Sequence, residues 1–159
     1  MADCHLPFFK YVSTICIMEP NTNTTPQSNP TVSHPKRILL VEDDDALANV
    51  YTTRLQAEGL DVRRVANGED ALAAAISYQP NLVLLDVMMP KVSGFDVLDI
   101  LRNTPETTNL KIIMLTALSQ DSDKERAETL GVDEYLVKSQ VVIADVVDRI
   151  KHHLHLEGK

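Results

Sequence analysis

Three stretches, RILLV at 37–41, NLVLL at 81–85 and KIIML at 111–115, each open on a polar residue and then run apolar for four residues. Runs of that length fit strands covered on both faces, as in a parallel sheet. DVRRVA at 61–66 is more polar and reads as an edge strand, and EYLV at 134–137 reads as a last, short one. Between them the period changes to three and four. Segment 45–58 places Leu47, Val50, Tyr51 and Leu55 on one face, with Gly59 as the stop. Segment 68–78 carries Ala71, Leu72, Ala75 and Ile76, and segment 94–103 carries Phe95, Val97, Leu98 and Leu101. Segment 121–130 is polar, anchored by Ala127 and Leu130. Segment 140–155 has an apolar face of Val142, Ile143, Val146, Val147, Ile150 and Leu154. Strict alternation of five strands and five helices predicts an α/β fold with a doubly wound parallel sheet.

That domain occupies 36–156 of the 159 residues. Residues 1–35 read as a disordered arm and linker, because Pro20, Pro26, Pro30 and Pro35 lie among Asn, Thr and Ser with little to bury. LPFFKYVSTICIM at 6–18 is a poor export signal, since Asp3 precedes it, Lys10 interrupts it and no small-residue cleavage site follows. Met18 offers an alternative start, so residues 1–17 need not belong to the chain. The only cysteines are Cys4 and Cys16, which fits a reducing, cytoplasmic setting. No apolar run reaches the ~18 residues of a membrane span. A formal charge of −8 disfavours direct nucleic-acid binding and suits a protein that holds a cation.

The residues that follow the apolar runs carry the chemistry. Glu42 and Asp43 follow the first, Asp86 the second, Thr116 the third, and Lys138 follows the last short strand. In an open parallel sheet all strand C-terminal ends share one edge, where ligands bind. These five residues should therefore converge. Two carboxylates ~4 Å apart repel by roughly 4 kcal/mol at an effective dielectric of ~20. Three together need a cation or protons. Hard oxygen ligands without His or Cys point to Mg²⁺. An Asp can act as nucleophile towards phosphorus, with Lys138 and Thr116 supplying a charge and a hydroxyl. Asp44 and Asp45 are better suited to capping the first helix. His152, His153 and His155 fit the cation-favouring end of the last helix.

ILLVEDD, LVLLDVMMPKVSG, IIMLTA and YLVK, in that order and spacing, resemble a response-regulator receiver domain of two-component signalling, of the chemotaxis-regulator-like kind. The resemblance implies a flavodoxin-like sheet of order 2-1-3-4-5 and a stand-alone phospho-accepting switch rather than an enzyme. It implies that Glu42 and Asp43, with Asp86 and the backbone carbonyl of Met88, hold Mg²⁺. Asp86 would receive phosphate from a sensor histidine kinase or phosphotransfer protein. Thr116 and Lys138 would bind the phosphoryl group, and Tyr135 would change rotamer with Thr116. The chain departs from the family pattern at Ser139, where Pro is usual. A trans bond after Lys138 is expected there, with Ser139 capping the last helix. Met88 and Leu118 are apolar where family side chains steer water, which predicts slow self-dephosphorylation. Glu42 in place of Asp is expected to reach the metal through water.

No output domain follows the fifth helix in the sequence, so a protein contact or a phosphorelay step is the expected output, in a monomer or a phosphorylation-dependent dimer. The polar helix 121–130, with Ser122 and Glu125 as a capping box, is the expected moving part. With Tyr135 and the last helix it forms the expected partner surface. The competing readings are a receiver-like adaptor that is never phosphorylated and an aspartate-nucleophile phosphatase. The phosphatase is disfavoured by Glu42 at the nucleophile's position and by the lack of a lid insertion.

Overall fold

The computed structural model describes residues 34–156. The readings made for residues 1–33, the arm, both cysteines and Met18 among them, lie outside the described residues. The elements run β1 (Arg37–Val41), α1 (Asp45–Ala57), β2 (Asp61–Val65), α2 (Gly68–Tyr78), β3 (Leu82–Leu85), α3 (Gly94–Asn103), β4 (Lys111–Thr116), α4 (Asp121–Thr129), β5 (Glu134–Val137) and α5 (Ile143–His153). The strands form one parallel sheet of order β2-β1-β3-β4-β5, the predicted topology. None of the described helices is long and apolar enough to cross a membrane.

The apolar runs are continuous because both faces of the sheet are covered. Ile38, Leu40, Leu82, Leu84, Ile113 and Leu115 point to one side, against Tyr51 and Leu55 of α1 and Val146, Val147 and Ile150 of α5. The alternate residues Leu39, Val41, Val83, Leu85, Ile112 and Met114 point to the other. They meet Ala71, Ala74 and Ala75 of α2, Phe95, Val97, Leu98 and Leu101 of α3, and Ala127 of α4. A period of two is thus hidden inside an unbroken apolar run.

Several helix details differ from the sequence expectation. Val50, Ile76 and Val142 are exposed, at 45%, 54% and 64%. Each helix has only one covered face, already filled by its neighbours, so these positions fall outside it. Ser139 does not cap α5. It lies in the turn before the helix, which starts three residues later than read, and Val142 occupies the cap, its N–H donating to the Asp145 carboxylate at 3.1 Å. Nor does Ser122 open a capping box, because α4 begins one residue before it, at Asp121, after Gln120 with no side-chain cap. Asp44 does cap α1, accepting from the Leu47 N–H at 2.8 Å. Gly59 ends α1 at φ 80°, a left-handed conformation that glycine adopts without strain.

Candidate functional site

Register brings the strand-end residues together. Val41 pairs with Leu85, so the residues after them, Glu42 and Asp86, emerge side by side. Backbone bonds extend the ladder one step further. The Glu42 N–H donates to the Val65 carbonyl at 3.1 Å, that of Asp86 to Val41 at 3.0 Å and that of Lys138 to Thr116 at 2.8 Å. Carboxylate oxygens of Glu42, Asp43 and Asp86 all lie within 4.8 Å of one another. Glu42 and Asp86 are buried and Asp43 is exposed. Lys138 Nζ bridges the two buried carboxylates, donating to Glu42 Oε2 at 2.8 Å and to Asp86 Oδ2 at 2.6 Å.

One ammonium among three carboxylates leaves an excess of negative charge. Burial pushes the Glu42 carboxyl above its ordinary value, more than the hydrogen bond and charge of Lys138 pull it back. Burial disfavours the Lys138 ammonium as well, but the hydrogen bonds and charges of Asp86 and Glu42 outweigh it and raise its pKa. The Glu42 shift thus comes first from burial, and the Lys138 shift from its two carboxylate partners. A divalent cation with oxygen ligands fits this donor set. Glu42, Asp43 and Asp86 are the groups able to hold it.

A second ring of contacts leads away from Asp86. The Met88 N–H donates to Asp86 Oδ1 at 3.0 Å, while the Met88 side chain is 56% exposed. Thr116 is fully buried, and its Oγ1 accepts from the Leu118 N–H at 3.3 Å. The Tyr135 hydroxyl donates to the Leu118 carbonyl at 3.1 Å. Leu118 thus links Thr116 to Tyr135 through its own backbone. Burial raises the Tyr135 phenol, with Asp123 and Asp86 adding to the effect.

Of three supporting residues, Arg64 and Tyr51 had no clear signal in the sequence, and Gly94 stood there only as part of the loop into the next helix. Arg64, on the edge strand β2, donates from Nε at 3.1 Å and Nη2 at 2.9 Å to the Glu42 carbonyl, from Nη2 to the Asp43 carbonyl at 3.2 Å, and pairs with the Asp45 carboxylate. It holds the acidic loop in place, and the parallel pairing of β1 with β2 is what brings it there. Gly94 opens α3 so close to the end of β3 that an added Cβ would stand 2.3 Å from the Asp86 carbonyl oxygen. Tyr51, read only as an apolar anchor of α1, is buried near Lys138, Glu42 and Asp86, and burial raises its phenol. At the opposite end of the sheet, Arg102 and Lys111 pair with Asp133, each at 2.8 Å. Arg102 also donates to the Gly131 and Leu110 carbonyls, both at 2.7 Å. That clamp ties α3 to the starts of β4 and β5 and leaves the carboxylate edge free.

The response regulator receiver domain family matches residues 38–151. Among curated relatives, the DNA-binding dual master transcriptional regulator RpaA of Synechocystis is 40% identical over 64% of this chain and 42% of its own length. The chain spans less than half the length of this and similar transcriptional regulators. The polar-differentiation response regulator DivK of Brucella anthropi is 30% identical over 76% of this chain and 97% of its own. Of solved structures, a CheY-like response regulator receiver domain protein from Methanospirillum hungatei has a TM-score of 0.71 at 29% identity, covering 76% of this chain and 94% of its own. The Mn²⁺-bound form of response regulator Rcp1 has a TM-score of 0.66 at 29% identity, covering 74% and 92%. With the sheet order 2-1-3-4-5 and the acidic cluster at its carboxyl edge, these matches place the chain in the response regulator receiver domain family.

Proposed function

We propose that this protein is a phospho-accepting switch in which Asp86 takes a phosphoryl group from a sensor histidine kinase or a phosphotransfer protein. The observation that carries the reading is Lys138 bridging Asp86 and Glu42 within a cluster of three carboxylates. Family membership and the Mn²⁺-bound Rcp1 relative support a divalent ion, Mg²⁺ in the cell, held by Glu42, Asp43, Asp86 and the Met88 carbonyl. When bound, the ion neutralises the carboxylates and the phosphoryl oxygens.

In the transfer, an Asp86 carboxylate oxygen attacks the phosphorus of the phosphohistidine donor. A P–O bond forms, the P–N bond breaks, and the departing imidazole keeps its electron pair and takes up a proton. Lys138 exchanges part of its contact with Asp86 for the incoming phosphoryl oxygens. Thr116 turns its hydroxyl from the Leu118 N–H towards the new phosphate. Leu118 then shifts, and Tyr135 loses its anchor on the Leu118 carbonyl. The α4–β5–α5 face changes with it and is read by a protein partner, in a monomer or a phosphorylation-dependent dimer. Helix α4 is suited to move, since Ala127 is the only buried residue within it and its first turn has no side-chain cap. The similarity to DivK along nearly all of that protein supports action as a stand-alone receiver. Beyond self-phosphorylation and self-dephosphorylation the protein turns over no substrate.

Incubation with acetyl phosphate and Mg²⁺ followed by intact-mass measurement tests this reading. One added phosphoryl group, lost with chelator or in Asp86→Ala, is the expected result. No adduct would favour an adaptor that is never phosphorylated, and continuous phosphate release would favour a phosphatase.

A further inference from the structure

The chain has three methionines among the described residues, in three different settings. Met114 is fully buried in β4, and Met89 packs partly buried against the α2–α3 side of the core. Met88 stands alone in being 56% exposed, although it lies two residues from the proposed phosphate acceptor. Its backbone is fixed to that acceptor by the N–H bond to Asp86 Oδ1 at 3.0 Å. An exposed thioether is open to peroxide, whereas a buried one is shielded. The side chain leaving this backbone is therefore both reachable by oxidant and tied to the rim of the crevice.

We infer that Met88 is a redox modification site, whose oxidation to the sulfoxide by hydrogen peroxide shortens the life of phosphorylated Asp86. This rests on the phospho-acceptor reading of Asp86. In the oxidation, a sulfur lone pair attacks one peroxide oxygen, an S–O bond forms, the O–O bond breaks and water leaves. Sulfur loses two electrons and the peroxide is reduced. The thioether is a weak acceptor and cannot orient a water molecule. A sulfoxide oxygen is a strong, polar acceptor on the same flexible stem. At the rim of the crevice it can hold a water whose oxygen faces the acyl phosphate, which the native side chain leaves unassisted. Sulfoxides are reduced enzymatically, so the change is reversible.

The test has two separate readouts on the full chain. Peptide mapping after limited hydrogen peroxide treatment reads the modification, and it should find Met88 oxidised well before Met89 and Met114. The decay of the phosphoryl adduct, followed by intact mass after removal of the donor, reads the consequence. Oxidised protein should lose phosphate about tenfold faster, less than the roughly hundredfold or more of a true general base, because the sulfoxide oxygen orients the water without taking its proton. Met88→Leu has its own decay rate, and peroxide should not change it, which removes any contribution from methionines elsewhere. Met88→Gln, whose amide oxygen stands in for the sulfoxide, should decay faster than Met88→Leu without peroxide. Oxidation of Met88 no faster than Met114, or equal decay rates in oxidised and untreated protein, overturns the inference. If untreated protein takes up no phosphoryl group at all, the proposed function fails instead, and the lifetime claim falls with it.

Discussion

Replacing Lys138 with methionine removes the only cation among the described residues that touches the two buried carboxylates while keeping most of the length of the side chain. In the native protein Nζ lies 2.8 Å from Glu42 Oε2 and 2.6 Å from Asp86 Oδ2, whose side chains are 3% and 6% exposed. Removing one partner of a buried pair leaves an uncompensated charge and costs about 3–5 kcal/mol. The Lys138 side chain is itself 19% exposed. Allowing for water at that opening, the expected loss is about 2–4 kcal/mol at neutral pH without divalent ion. At a urea slope of about 1–3 kcal/mol per molar, the midpoint should fall by roughly 1–2 M. The loss should shrink as pH falls. Without Lys138, Glu42 loses the hydrogen bond and charge that pull down its burial-raised pKa and sits higher still, so the folded variant binds this proton more readily than the unfolded chain and lowering the pH stabilises it. Mg²⁺ should stabilise Lys138→Met more than the native protein, because the ion supplies the missing positive charge. Adding Glu42→Gln should recover part of the loss, since contacting charges are not additive. An Lys138→Met variant as stable as the native protein in chelator at pH 7 would refute this reasoning. So would a deficit that stays constant as Glu42 is protonated.

Further outcomes follow from the same geometry. Glu42 has a folded pKa raised above its ordinary 4.5, so its contribution to stability is fully present below that value and is lost as pH rises through the folded pKa. Urea unfolding from pH 4.5 to 7 in chelator should show this decline, and it should vanish in Glu42→Gln. Asp133 behaves oppositely. Despite its burial, Lys111, the Ile112 N–H and Arg102 lower its pKa, so its contribution is present above the ordinary 3.8 and lost as pH falls through the folded value, outside that window. Replacing Met88 by Asn together with Leu118 by Glu should speed loss of the phosphoryl group by about tenfold or more, read by intact mass over time. Gly94→Ala should destabilise by about 3 kcal/mol, because its Cβ meets the Asp86 carbonyl, which is backbone and cannot rotate away. Thermal unfolding checks this.

The sheet was legible because its three inner strands are unbroken apolar runs, and only strands covered on both faces read that way. The crevice was legible for the same reason, since each run ends on the residue that enters it. Glu42, Asp43, Asp86 and Lys138 meet as the strand ends predicted, with Thr116 on the neighbouring strand engaged by Leu118. Capping was harder to read. Ser139 and Ser122 are good capping types, but the turn after β5 and the loop before α4 decide where each helix begins. Arg64 escaped notice because its contacts are to backbone carbonyls brought close only by strand pairing. Val50, Ile76 and Val142 looked like core on spacing alone, and the sequence period carries no record of how wide the covered face is.

The central claim is that Asp86 carries the phosphoryl group. Borohydride reduces an aspartyl phosphate to homoserine and leaves free carboxylates intact, so it marks the acceptor chemically. The protein is treated with acetyl phosphate and Mg²⁺, reduced and mapped by peptide mass spectrometry. Homoserine at position 86 alone, absent when Mg²⁺ is chelated, is the predicted result. Reduction at Glu42, which would give 5-hydroxynorvaline, or homoserine at position 43, or no reduced residue while the intact mass still shows a phosphoryl adduct, would contradict the account.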